Sequence, residues 1–145
     1  MIVSLVPPEM VNGLWSNIFP HLSKAAEYTF GRYEPEDIFE FVLNGEGHLW
    51  VVFEDKKIVG ITVTRFWQYP RKKCLDVLFL GGEDWGKWRD DMFDTLQRWA
   101  VDSGCDVIES SGRAGFARVF KDRGYKPMWQ VFEFPIAAGA GGQNG

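Results

Sequence analysis

The chain is poor in the residues that build most familiar chemical sites. It has two cysteines and two histidines in 145 residues. Cys74 and Cys105 lie far apart, each in an apolar segment. They read as reduced, buried thiols, with a disulfide between them left open. His21 and His48 are isolated, and no Cys/His spacing matches a structural zinc site, so no metal is expected. There is no Gly-x-Ser-x-Gly elbow, no P-loop and no spaced dinucleotide fingerprint. Apolar runs are too short to cross a bilayer. The opening MIVSLVPPEM lacks the basic start and long apolar stretch of a secretory signal, so a protein that is not secreted is expected. Positive charge is not in excess: 16 Lys and Arg against 20 Asp and Glu leave a net charge of -4. Such a chain has no global attraction to nucleic acid or anionic lipid. Its only basic cluster, Arg71-Lys72-Lys73, reads as a solvated turn.

What is abundant is apolar and aromatic. Hydrophobic residues make up 46% of the chain, with 7 Trp, 12 Phe and 4 Tyr, which is enough for one well-filled core and excludes disorder over most of its length. A single domain over residues 1–136 is expected, followed by a flexible Gly/Ala-rich tail at 137–145.

Periodicity divides the domain into elements. Residues 2–6 are β-prone and end at Pro7-Pro8. Val11, Leu14, Trp15, Ile18, Phe19 and Leu22 fall on one helical face, with Pro20 expected to kink or end that helix. Pro35 opens a second helix whose stripe is Ile38, Phe39, Val42 and Leu43. Three strands follow, at 48–55, 57–69 and 74–82, joined by short turns as an antiparallel meander. Met92, Phe93, Leu96, Trp99 and Ala100 return to helical spacing. A strand at 105–111, a helix at 114–123 and a strand at 128–134 complete the order. A helix between the third meander strand and strand 105–111 implies a crossover to a parallel neighbour. The fold class is mixed α/β: a mostly antiparallel central sheet with helices on both faces.

This order resembles the GNAT superfamily of N-acetyltransferases across residues 1–135. LWVVFEDKKIVGITVT resembles the family's second and third strands, MFDTLQRWAVDSGCDVIE its acyl-CoA-binding helix and following strand, and VFKDRGYKP its late aromatic turn. Tyr69-Pro70-Arg71, Leu78-Phe79-Leu80-Gly81-Gly82 and Gly112-Arg113-x-Gly115-Phe116 resemble a narrower group, small GNAT-like proteins of tailed bacteriophages and prophages that include internal virion proteins.

The resemblance sets tests for catalysis. In the family, an Arg/Gln-x-x-Gly-x-Gly/Ala loop holds the acyl-CoA pyrophosphate on backbone N–H groups at a helix start. Here Asp84, Lys87 and Arg89 occupy its three key positions, and Asp90 and Asp91 follow. Phe120 stands where the family places its acid tyrosine, and Arg113 where it often has asparagine. Two functions follow. One is a non-catalytic, virion-associated module that acts through protein partners, in the host cytoplasm or the phage particle. The other is an acetyl-CoA-dependent N-acetyltransferase with a divergent loop. In that enzyme Asp76 or Glu109 would be the base, Tyr125 the acid, and Leu80, Gly81, Gly82, Gly86, Lys87 and Arg89 the cofactor-binding residues. Asp76 and Glu109 read equally as polar faces of strands, and Tyr125 as a packing aromatic. Trp85 and Trp88 flank the loop, and Trp67 and Tyr69 end a hairpin, where exposed aromatics mark a contact surface.

Overall fold

The computed structural model describes residues 1–111 and 116–136. They fall in two compact units, Met1–Ser111 and Gly112–Gly145.

The first unit is a five-stranded sheet with helices on both faces. Its strands are β1 (Ile2–Val6), β2 (His48–Glu54), β3 (Lys57–Gln68), β4 (Lys73–Gly82) and β5 (Val107–Ser110). They lie side by side in sequence order; the first four are antiparallel and β5 is parallel to β4. The helices are α1 (Pro8–Val11), α2 (Trp15–Glu27), α3 (Pro35–Leu43) and α4 (Trp85–Asp102). A short 3-10 turn, Asn12–Leu14, joins α1 to α2. The crossover is therefore β4–α4–β5, as the periodicity predicts.

Consecutive residues of β2 show how the sheet is covered. Leu49 and Val51 pack with Ile18, Leu22, Ile38 and Val42 of α2 and α3. Trp50 and Val52 pack with Trp88, Met92 and Leu96 of α4. A strand with period-two side chains can be apolar throughout only if both faces are buried. Each of these fully buried aliphatic side chains contributes about 1.5–3 kcal/mol relative to exposure.

Local chemistry explains the helix starts and stops. In α3 the Glu34 and Asp37 side chains form a reciprocal capping box, Pro35 takes the first position, and Gly45 at φ 85° follows the end. In α2 the sequence predicts a kink or stop at Pro20, yet one helix runs from Trp15 to Glu27. The missing N–H at Pro20 is outweighed by the buried stripe Ile18, His21, Leu22, Ala25 and Ala26, which continues on both sides of it. His21 adds a pin, its Nε2 lying 3.0 Å from the Ile58 carbonyl oxygen of β3.

Two register shifts bend the sheet. In the β3–β4 ladder Val63 pairs with Phe79 and Thr64 with Val77, so Leu78 is an extra residue on β4. The bulge reverses the alternation. Leu75 and Val77 face α4, whereas Phe79 packs with the α2/α3 cluster. A second shift lies in the β2–β3 ladder, where Val52 pairs with Gly60 and Phe53 with Ile58.

Among its described residues the second unit holds one helix, α5 (Ala117–Asp122), ended at Gly124 with φ 89°. Phe120 stacks near Phe116 at 6.0 Å and near Tyr125 at 5.2 Å. The strand expected at 128–134 is not formed; residues 125–136 have no regular secondary structure. Alternation alone does not make a strand, because an isolated extended segment leaves its backbone hydrogen-bonding groups to water. The expected 114–123 helix is described only from Phe116 onward, and Arg113 and the 137–145 tail lie outside the described residues.

Candidate functional site

Polar side chains converge where β3, β4 and β5 run together. Arg65 of β3 pairs with Asp76 of β4, and Asp76 stands opposite Glu109 of β5. Side chains at these positions project to one face, so the cluster is a product of register. Arg65 Nε donates to Asp76 Oδ2 at 3.2 Å. Glu109 Oε1 accepts a hydrogen bond from the Tyr69 hydroxyl at 2.9 Å. Tyr69 is held by the hairpin end, where its N–H donates to the Lys72 carbonyl at 2.8 Å. The Arg65 guanidinium also lies 4.7 Å from the ring of Trp67.

The electrostatics follow from this crowding. Burial pushes the Asp76 carboxyl above its ordinary range, the Arg65 bond and charge pull it back, and the neighbouring Glu109 charge raises it further. Tyr69 is pushed up to about 12, first by its hydrogen bond to Glu109 and then by burial. Cys74, fully buried two residues before Asp76, is also pushed up to about 12, by burial and then by hydrogen bonding with Glu109. Its thiol is therefore neutral at physiological pH and is no nucleophile. Asp76 and Glu109 can accept a proton or hold a cation. Arg65 and Tyr69 give the two carboxylates different partners, one ion-paired and one hydrogen-bonded.

The start of α4 is built differently. Asp84 precedes the helix at φ 51°. The Lys87 N–H donates to the Asp84 carbonyl at 2.8 Å, and the Glu83 N–H to the Val59 carbonyl at 2.7 Å. Glu83 pairs with Lys57 at 3.5 Å and Asp84 with Lys87 at 3.9 Å. Trp88 is buried, and its Nε1 donates to the Glu83 carbonyl at 2.8 Å. A methyl group on Gly60 would collide with the Trp88 indole. On Gly82 it would come within 2.6 Å of both the Gly60 Cα and the Val59 oxygen. On Gly81 it would collide with the His21 carbonyl of α2. Gly81 and Gly82 are thus places where backbones meet, whereas Gly86 faces open space. Leu80 packs partly buried against the cluster under α4, and Arg89 is half-exposed.

The sheet order, the β4 bulge and the β4–α4–β5 crossover can be compared with known structures. The chain has a TM-score of 0.68 to a ribosomal-protein-alanine N-acetyltransferase from Brucella melitensis, at 14% identity, covering 93% of this chain and 99% of that one. The fold is that of the GNAT acetyltransferases. A predicted acetyltransferase with acetyl-CoA from Clostridium acetobutylicum gives 0.68 at 14% identity, covering 93% and 96% of the two chains. A structure described as a probable acetyltransferase gives 0.70 at 14% identity, covering 94% and 98%. No protein-family model matches, and no curated protein matches.

Within this GNAT fold, Asp76 and Glu109 come together as opposite members of one ladder. Tyr125 lies in the second unit, half-buried and packed near Phe120, with its hydroxyl pushed up in pKa by burial. Arg65 and the hydroxyl of Tyr69 belong to this candidate site and were missed by sequence reasoning. A signal existed: a turn at Pro70–Lys72 that pairs Gln68 with Lys73 also sets Arg65 opposite Asp76. No group of three or more His, Cys, Asp or Glu able to hold a metal occurs among the described residues. No helix among them is long and apolar enough to cross a membrane.

Proposed function

We propose that this chain is a GNAT-fold module that has lost the usual acyl-CoA pyrophosphate site and acts through protein contacts. The observation that carries this reading is the start of α4. An anion there needs free N–H groups, positive potential and glycines that admit it. Instead the Glu83 and Lys87 N–H groups are engaged within the chain. Two carboxylates, Glu83 and Asp84, flank the helix start, and two more, Asp90 and Asp91, follow in its second turn. The Trp88 indole fills the space over Gly60 and Gly82. The resemblance of the 69–71 and 78–82 motifs to phage proteins supports a virion-associated role, in the host cytoplasm or the particle.

A second reading keeps catalysis, and one observation favours it. β5 ends at Ser110, opposite Val77, while β4 continues to Gly82. The β4 backbone beyond the bulge is therefore open on that side among the described residues. Such an edge suits an extended, amide-containing arm like that of acetyl-CoA, with Asp76 or Glu109 near its tip to take the amine proton.

Isothermal titration of the full chain with acetyl-CoA separates them. The first reading expects no saturable heat at millimolar ligand from a protein whose folded state is verified by circular dichroism. Saturable binding that weakens in Lys87→Glu would overturn it and support the enzyme.

A further inference from the structure

A pocket of about 160 Å³ lies beside the C-terminal end of β1. Leu5, Val6, Pro8, Val11, Val42 and Leu49 line it, so its walls are largely apolar. Val11, Val42 and Leu49 are each 1% exposed and belong to the core cluster of α2 and α3, so the pocket reaches that core. No residue of β4, β5 or α4 lines it, and it is separate from the carboxylate pair. An apolar cavity of about 150 Å³ admits a benzene-sized group. This pocket therefore has room for one leucine, methionine or phenylalanine side chain.

The chain around the pocket is fixed and acidic. Gly45 and Gly47 also line it, and the turn between them is tied at both ends. The Gly45 N–H donates to the Val42 carbonyl at 3.3 Å, and the Gly47 N–H to the Phe41 carbonyl at 3.1 Å. A methyl group on Gly47 would collide with the Phe41 ring. Glu46 sits between the two glycines and is held by Asn44. Its N–H donates to Asn44 Oδ1 at 3.0 Å, and its Oε1 accepts from Asn44 Nδ2 at 2.7 Å. Glu9, next to Pro8 on α1, is exposed. Segments 1–14 and 40–53 supply every lining residue; they carry Glu9, Glu40 and Glu46, and no Lys or Arg. Leu5 and Met10 add apolar surface there, at 41% and 59% exposed.

We propose that the pocket seats one apolar side chain of a partner protein, presented on a segment with Lys or Arg beside it. Glu9 and Glu46 decide between occupants. A small apolar molecule would fill the pocket and leave both carboxylates unused. A chain that continues past its anchor brings cations to them. A second copy of this chain is disfavoured, because an isologous contact sets the same carboxylates against each other. The tied turn lowers the ordering cost of binding. The inference rests on the reading that the chain works through protein contacts, and it names the surface and the chemistry of the partner.

Amide NMR titration of the full chain with blocked peptides tests it. Lys-Lys-Phe-Lys-Lys should give saturable shifts at residues 5–11 and 42–49. Lys-Lys-Ala-Lys-Lys should bind about tenfold or more weakly, the loss expected when no ring is buried. Glu-Glu-Phe-Glu-Glu should bind about threefold or more weakly, and that gap should close in high salt. Leu5→Lys places a cation on the wall and should weaken Lys-Lys-Phe-Lys-Lys by roughly tenfold. Glu9→Gln combined with Glu46→Gln should abolish the preference for basic flanks and keep the preference for Phe over Ala. Circular dichroism of both variants checks that the fold persists. Equal affinity for the Phe and Ala peptides, equal affinity for basic and acidic flanks, shifts confined to other residues, or no saturable shift would overturn the proposal. Toluene binding without peptide binding would also overturn it and assign the pocket to a small apolar ligand. Peptide failure together with absent acetyl-CoA binding would strike this inference alone. Saturable acetyl-CoA binding would strike the non-catalytic reading whatever the peptides do.

Discussion

Asp76 and Glu109 face each other across the parallel β4–β5 ladder, yet each carboxylate has its own partner. Arg65 holds Asp76 at 3.2 Å, and Tyr69 donates to Glu109 at 2.9 Å. Like charges at adjacent positions repel, and these two partners make the pair tolerable.

Removing Arg65 should therefore move the Asp76 titration. Its carboxyl already sits above 3.8, because burial and Glu109 outweigh Arg65. Arg65→Gln should raise it further, read by NMR of the side-chain carboxyl carbon. The folded form binds this proton more tightly than the unfolded form. The Asp76 contribution to stability therefore improves as pH falls through the folded value, and the cost of the ionised form is present at neutral pH. An Asp76 titration that stays put in Arg65→Gln would refute the pairing.

Two glycines of the β4–α4 region should respond in opposite ways to the same change. Gly81→Ala drives a methyl into the His21 carbonyl, so α2 must shift on the sheet, at about 1–3 kcal/mol by analogy with overpacking. Gly86→Ala meets open space in the first turn of α4 and should stabilise by about 0.5–1 kcal/mol. Urea unfolding of both variants checks the sign. Equal effects would mean that α2 does not touch β4 at Gly81.

Trp88 should be among the costliest side chains to remove. It is 1% exposed, covers Gly60 and Gly82, and donates to the Glu83 carbonyl. Trp88→Ala should destabilise by about 3–5 kcal/mol, seen as a fall in the urea midpoint with little change in slope.

His48 should make the fold acid-sensitive. Its Nδ1 lies 3.0 Å from the Thr64 hydroxyl oxygen, which also accepts from Trp50 Nε1 at 3.0 Å. Its ring stands edge-on to Phe66 and Trp99 at 4.8 and 4.7 Å. The charged groups near this cluster include Lys73, whose Nζ lies 4.6 Å from the Phe66 ring. Burial lowers the His48 pKa below 6.5, so the unfolded chain takes the proton first. Stability from this group is complete above 6.5 and falls as pH drops below it. Urea midpoints between about pH 7.5 and about pH 5 should decline, and His48→Gln should flatten that decline. A decline unchanged in the variant would assign it to other groups.

Much of the architecture was legible in single residues. Pro35 with Glu34 and Asp37 marks the start of α3, and Asn44-Gly45 marks its end, because caps are local chemistry. The apolar run through β4 and the change of period after Gly82 gave the crossover, because face coverage is written in periodicity. Other features were not legible. Pro20 looks like a break, and only the packing of α2 on β3 and β4 shows why the helix continues. The alternation at 128–134 predicts a strand, but a strand needs a second edge, which no local pattern supplies.

The candidate site divides along the same line. Sequence by itself determined the mixed α/β class, the acidic start of α4 and the carboxylates at 76 and 109, since these depend on residue type and spacing along the chain. Tertiary structure alone decided that Asp76 meets Glu109, that Arg65 and Tyr69 hold them, and that the bulge at Leu78 turns Phe79 away from the α4 face. It also decided that Gly81 and Gly82 serve as points of backbone contact. Those are matters of register, and a one-residue shift in register reverses every face of a strand.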